Sequence, residues 1–129
     1  NLSSKIKLLG KLPNNKIPFD DMSLLFNCSI SEGSSNSILE SLTFGKPVVA
    51  SDNEGNREIL SESGFGRIYK NNEVDSAVEQ IEYFYKLDDD SISNIANEAK
   101  RFINTNYNKE LMINEYYDYF QGLDCKIKT

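Results

Sequence analysis

Residues 28–60 read C-S-I-S-E-G-S-S-N-S-I-L-E-S-L-T-F-G-K-P-V-V-A-S-D-N-E-G-N-R-E-I-L, and their order decides the fold class. The apolar run Leu24-Leu25-Phe26 leads into the polar, flexible segment Ser31-Glu32-Gly33-Ser34-Ser35. Ser34 or Ser35 suits a helix N-cap, and Ile38, Leu39 and Leu42 then recur at helical spacing. Gly45 ends that helix and Pro47 forbids its continuation. Val48-Val49-Ala50 is a short, β-branched apolar run of the kind that fills a buried parallel strand. Strand, Gly-containing loop, helix, Gly stop and strand make a βαβ crossover. Such a unit is right-handed, and its loop lies at the carboxyl end of a strand, where open α/β sheets bind ligands.

The polar residues of this unit fall in a pattern. If the helix is continuous, Glu32, Asn36 and Glu40 follow one another at i+4 steps on a face opposite Ile38 and Leu42. Free N–H groups and a partial positive charge at the helix start suit a phosphate or a sugar hydroxyl near Glu32. Glu40 then sits about 12 Å further along the axis. An ionised carboxylate only accepts hydrogen bonds, and two vicinal ribose hydroxyls can donate to it together. The same pattern also fits a plainer reading: Glu32 as a first-turn dipole partner and Glu40 as a solvated surface residue.

Composition narrows the classes. At 129 residues, one domain with a real core is expected. Hydrophobic residues at 39% and charged residues at 26% are ordinary for a globular domain and argue against wholesale disorder. A net charge of -6 gives no basis for nucleic acid as a partner, nor for an anionic lipid surface. The two cysteines, Cys28 and Cys125, do not form a disulfide framework, and Cys28 falls at the end of an expected buried strand. A cytoplasmic location follows as an expectation, with no signal peptide and no long apolar run. The chain contains no histidine, which removes His-based acid–base catalysis, most zinc sites and catalytic triads. It begins with Asn1 rather than Met, which suggests an excised piece of a longer protein.

The flanks complete the fold expectation. Lys5 to Leu9, stopped by Gly10, reads as a strand, Lys11 to Asn15 as a turn, Ile17 to Met22 as a short helix and Ser23 to Cys28 as the next strand. Asp52 to Gly55 reads as a loop, Arg57 to Leu60 as the opening of a short helix, Gly64 to Gly66 as a turn and Arg67 to Tyr69 as a last strand. Arg57 and Glu58 suit either a ligand at the strand edge or a surface cation and a capping carboxylate. Residues 73–121 carry amphipathic helical spacing, with Asp90, Ser91 and Ser93 placed to cap the second helix. Leu111, Met112, Tyr116, Tyr119 and Phe120 form a stripe of the kind used for core packing or docking. The domain is read as 1–122, with 123–129 as a tail.

Taken together, Ser29, Glu32-Gly33, Asn36, Leu39-Glu40, Gly45-Lys46-Pro47-Val48-Val49-Ala50, Asp52, Gly55 and Glu58-Ile59 resemble the donor-binding core of the family-four retaining glycosyltransferases. That family's signature is a Glu, seven residues and a second Glu, here Glu32 and Glu40. The resemblance implies an α/β, Rossmann-like parallel sheet flanked by helices, the C-terminal half of a GT-B fold, with a helical C-terminus that bridges to the other half. It implies a nucleotide-sugar donor, with Glu40 on the ribose hydroxyls and Glu32 as the catalytic-site group contacting the transferred sugar. It places the amides of Gly33, Ser34, Ser35 and Asn36 near the sugar and diphosphate, and makes Gly10 a further donor-site candidate beside its plainer role as a strand-ending glycine. No metal or other cofactor is expected. The family's phosphate-binding Arg and Lys would precede Leu2. The glycan or glycolipid acceptor would be held by an N-terminal domain, so the fragment alone is expected to be inactive. Association of a longer parent with the inner membrane surface stays open. Departures from the pattern are Ser34 and Ser35 (for an aromatic residue and Pro), Glu54 (for Gly) and Arg57 (for Pro); they fall around the sugar rather than the ribose.

Two other classes compete. One is a non-catalytic α/β interaction module that kept the fold, against which the presence of both Glu32 and Glu40 argues. The other is a sugar-nucleotide epimerase or a phosphorylase of similar fold, for which no supporting pattern occurs. A glycosidase would need carboxylates about 5 to 9.5 Å apart, which an i+8 helical spacing does not supply.

Overall fold

The computed structural model describes residues 3–13, 16–61 and 63–127, with side chains through Gly122. Its centre is the strand β2 (Val48–Ser51), all four residues of which are buried. Parallel neighbours flank it, β1 (Leu25–Asn27) on one edge and β3 (Gly66–Tyr69) on the other, in the order β1-β2-β3. Leu25 pairs with Val48, which in turn pairs with Gly66. Successive strand residues face opposite sides, so a strand buried at every position needs cover on both faces.

That cover comes from the helices. α1 (Asn36–Thr43) connects β1 to β2, and α2 (Glu54–Leu60) connects β2 to β3. Gly66 faces α2 so closely that a Cβ there would overlap Leu60. Its neighbour Arg67 faces the other way, where Nε donates to Gln80 Oε1 at 2.5 Å and the guanidinium lies 4.1 Å from the Tyr83 ring centre. Gln80 and Tyr83 belong to α3 (Val74–Tyr85). α4 (Asp89–Asn106) packs across α1, and its Ile95, Ala99 and Ile103 join Ile38, Leu42, Val48 and Phe84 in one core cluster. α5 (Lys109–Ile127) follows. Among the described residues no helix is long and apolar enough to cross a membrane. The α/β class, the parallel sheet and the helical C-terminus are thus as the sequence leads one to expect.

Gly45 closes α1 for two reasons. Its φ of +69° is left-handed, and its N–H donates to the Leu42 carbonyl at 2.9 Å while Lys46 N–H donates to the Ser41 carbonyl at 3.0 Å. This pair of bonds is a Schellman closure, satisfying carbonyls that the helix end leaves open. In addition, a Cβ at Gly45 would lie 2.9 Å from Lys100 Cε and 3.0 Å from the Ala96 carbonyl oxygen, so α4 can approach only because the side chain is absent.

Several expectations are corrected. Residues 6–10 form no strand; Ile6 and Leu8 stand 61% and 93% exposed, and apolar alternation without a ladder partner does not make a strand. The short helix at 17–22 contracts to a 3₁₀ turn at Phe19–Asp21. Asn14 and Asn15, from the expected turn, lie outside the described residues. α2 begins at Glu54 rather than Arg57, because Asn53 caps it. α4 is capped by Asp88 in place of Asp90, with Oδ1 accepting from Ser91 N–H at 2.8 Å. The hydrogen bonds from the Ser91 side chain and backbone hold the Asp88 carboxyl below its usual range. Cys28 is exposed, since β1 ends one residue before it. The stripe at 111–120 is not core packing: Met112, Tyr116, Tyr119 and Phe120 are each at least half exposed.

Gly45 and Gly10 share nearly the same φ, +69° and +65°, yet Gly10 has nothing within 4 Å of a would-be Cβ. Gly45→Ala should therefore lower urea-unfolding stability well beyond the roughly 1–2 kcal/mol of left-handed strain, whereas Gly10→Ala should cost no more than that strain. Equal losses in the two variants would refute the packing role of Gly45.

Candidate functional site

At the carboxyl edge of the sheet the chain leaves β1 through a loop, residues 28–35, before α1 begins. Asn27, the last residue of β1, is buried and organises this loop. Its Oδ1 accepts from Ser29 N–H at 3.0 Å, and its Nδ2 donates to the hydroxyls of Ser35 and Ser37, both at 3.2 Å. Ser35 occupies the N-cap position of α1 but makes no side-chain cap. Its hydroxyl is occupied by Asn27 and by Ser37, 3.0 Å away. The first amides of α1 are therefore left without the usual Ser acceptor, which favours an electron-rich partner at that helix end.

The loop is held from its other side by the end of β2 and the start of α2. Ser51 Oγ donates to the Ser29 carbonyl, and Asn53 Nδ2 donates to the same oxygen at 3.0 Å. Asn56, wholly buried, donates from Nδ2 to the Ser51 carbonyl at 2.9 Å. Its Oδ1 is a buried side-chain acceptor with no partner among the described residues. Gly55 lies directly under the loop; a Cβ there would be 2.5 Å from the carbonyl oxygens of both Glu32 and Gly33. Only glycine permits that approach.

Glu32 sits in this loop, partly buried, four residues before the helix opens at Asn36. The i+4 face therefore holds for Asn36 and Glu40 but not for Glu32, because Asn27 and the α2 turn keep residues 29–34 non-helical. Gly33 and Ser34 are exposed, with open space around the Gly33 Cα. Gly10 stands in the irregular N-terminal segment, exposed and left-handed at φ +65°.

Glu40 is partly buried in the second turn of α1. It lines a cleft of about 450 Å³ with Ile17, Pro18, Phe19, Asp20 and Phe44. Phe19 stacks on Phe44 at 4.8 Å between ring centres, and Lys46 Nζ donates to the Asp20 carbonyl at 3.1 Å, docking the segment that makes the outer wall. Sequence reasoning missed this wall, since nothing local to residues 17–21 signals a contact with α1.

The remaining candidates divide. Arg57 pairs with Asp52 at 2.8 Å on the surface, and Glu58 lies toward α4, where its charge joins burial in raising the Tyr107 phenol. Burial chiefly, and the nearby Cys28, push the Tyr69 phenol up against a hydrogen bond with Ser51, so Tyr69 stays protonated beside the loop. Among the described residues no group of three His, Cys, Asp or Glu side chains is placed to hold a metal ion. A larger cavity, about 860 Å³, opens at the amino end of the strands near Leu24 and Pro47, and it borders the Glu40 cleft, with which it shares Asp20, Asp21 and Phe44.

A family model for group 1 glycosyl transferases matches residues 1–109, from the N-terminal segment to the first residue of α5, and the chain belongs to that family. No curated protein matches it at a significant level.

Asn27→Ala should remove the loop's inner anchor, leaving Ser29 N–H without its acceptor and the Ser35 and Ser37 hydroxyls without their amide donor. A loss of about 1–3 kcal/mol in chemical unfolding is expected from the orphaned groups. An unchanged midpoint would show that the loop holds without Asn27.

Proposed function

We propose that this chain is the nucleotide-sugar-binding half of a retaining glycosyltransferase, transferring a hexosyl group from a nucleoside-diphosphate sugar to a hydroxyl of a glycan or glycolipid. Family membership supplies glycosyl transfer. The observation that carries the finer reading is the placement of the two glutamates. Glu32 stands in a held loop at the carboxyl edge of a parallel sheet, and Glu40 lines a cleft on the helix which that loop opens.

In this reading Glu40 accepts hydrogen bonds from the ribose hydroxyls, a role that fits a partly buried carboxylate at the side of a cleft. The amides of Gly33, Ser34, Ser35 and Asn36 face the sugar and the diphosphate. The engagement of the Ser35 hydroxyl elsewhere keeps the start of α1 open to an anion. Glu32 contacts the transferred sugar. Its carboxylate acts on the charge that develops at the sugar ring as the bond to the diphosphate breaks. The leaving diphosphate needs cations beyond these groups, which the resemblance assigns to Arg and Lys residues of a longer parent, as it does the acceptor site. No metal or other cofactor is part of the proposal, and the setting is the cytoplasm or the inner membrane face.

Calorimetric titration of UDP, GDP and ADP into the parent protein, beside its Glu40→Ala variant, tests this. One nucleotide should bind in the micromolar range, and the variant should lose about 1.5–3 kcal/mol, the worth of a hydrogen bond to a charged group. Absence of binding by a folded parent would favour an interaction module that shares the fold.

A further inference from the structure

Asn53 uses both ends of its side chain. Oδ1 accepts from Asn56 N–H at 2.9 Å, capping α2, and Nδ2 donates to the Ser29 carbonyl at 3.0 Å. The orientation of the amide is determined by its neighbours: a backbone N–H faces one side and a backbone carbonyl the other, so exchanging O and N would break both bonds. Ser51 Oγ donates to the same carbonyl, which thereby receives two donors. Three residues further on, the backbone of Glu32 and Gly33 rests on Gly55, in the helical turn that Asn53 opens.

Among the described residues, the outer side of the loop supplies nothing comparable. Ile30 is 89% exposed, Ser31 is exposed, and Gly33 has nothing within 4 Å of a would-be Cβ. The position of Glu32 is thus set from beneath: Asn27 and Ser51 hold the loop at Ser29, and the first turn of α2 adds two contacts of its own, Asn53 at the Ser29 carbonyl and Gly55 under the backbone of Glu32 and Gly33. We infer that Asn53 is a positioning residue for Glu32, its side-chain N–H tying the start of the loop to the turn on which Glu32 rests. This inference rests on the donor-site reading above for its catalytic consequence, though not for the tether itself.

Asn and Asp are about equally good N-caps, but only Asn can donate from the second arm. Asn53→Asp therefore keeps the cap and replaces the tether with a carboxylate facing a carbonyl oxygen. The experiment compares the native parent protein with Asn53→Asp, and with Asn53→Ser as the second variant should the first fail to fold; Ser also caps but has no second arm. Three quantities are read: the urea midpoint, backbone amide exchange over residues 30–34, and hydrolysis of UDP-glucose, GDP-mannose and ADP-glucose to the free nucleoside diphosphate.

The expected result is a midpoint close to native, exchange over residues 30–34 faster by roughly tenfold, and kcat lower by roughly tenfold with KM changed less than twofold, since a small displacement of a reacting-site group acts on turnover. A folded variant with native exchange over 30–34 overturns the tether. Faster exchange with kcat untouched overturns the positioning role and leaves the donor site standing. A native protein that neither hydrolyses these donors nor binds UDP, GDP or ADP overturns the donor reading, and the catalytic role of Asn53 with it.

Discussion

The burial of β2 on both faces is the constraint from which the rest of the molecule follows. Val48, Val49 and Ala50 have no accessible surface and Ser51 almost none. A four-residue strand cannot achieve this alone; it needs a parallel neighbour on each edge and a helix layer on each side. The connections α1 and α2 supply one layer, α3 the other, and α4 seals α1 from outside. Transfer of these side chains from water drives the assembly, while the backbone bonds to β1 and β3 satisfy the polar groups that burial would otherwise leave unpaired. The polar residue at the end of the strand turns this rigidity toward the site. Ser51 is buried with the rest, but its hydroxyl reaches across to the Ser29 carbonyl, so the loop bearing Glu32 is anchored to the most buried strand.

The carboxyl edge is held by short polar side chains rather than by apolar packing. Asn27, Ser35, Ser37, Ser51, Asn53 and Asn56 form two hydrogen-bonded groups, one beneath the start of α1 and one beneath the start of α2, which meet at Ser29. Asn27 accepts from its N–H, while Ser51 and Asn53 donate to its carbonyl. Bonds of this kind contribute little net stability one at a time but together specify a single backbone path, here with the buried Asn56 Oδ1 as the one acceptor left unpaired among the described residues. The exposed Gly33 and Ser34 can then stay free of side-chain contacts without the loop losing its shape.

Much of the fold was legible because the signals were local. Gly45 and Pro47 mark the helix end, Val48-Val49-Ala50 the buried strand, and the spacing of Ile38 and Leu42 the core face of α1. The unread parts depend on contacts distant in sequence. Lys5 to Leu9 has the composition of a strand, but pairing is decided by the neighbour, and none is present at those residues. Ser35 carries the right side chain for a cap, yet Asn27, eight residues away, claims its hydroxyl. Asn53 lay hidden in a stretch that reads as loop, because Gly55 is a poor helix former and only the fold shows that a helix opens at Glu54. Glu32 and Glu40 were found through their resemblance to a known pattern. That Glu40 faces a cleft walled by Phe19 could not be read from spacing.

That wall is attached differently from everything else around the site. The segment around Phe19 is not part of the sheet or of the helical layers; among the described residues, the buried Phe19 ring stacked on Phe44 and a bond from Lys46 Nζ to the Asp20 carbonyl hold it to the body. Residues exchanged there alter the outline of the cleft at Glu40 without touching the buried strand or the two asparagine-centred groups. The two walls of this cleft therefore differ in kind: exchanges in the 17–21 segment would redraw its outline, whereas exchanges beneath the Glu32 loop would reach the buried strand itself.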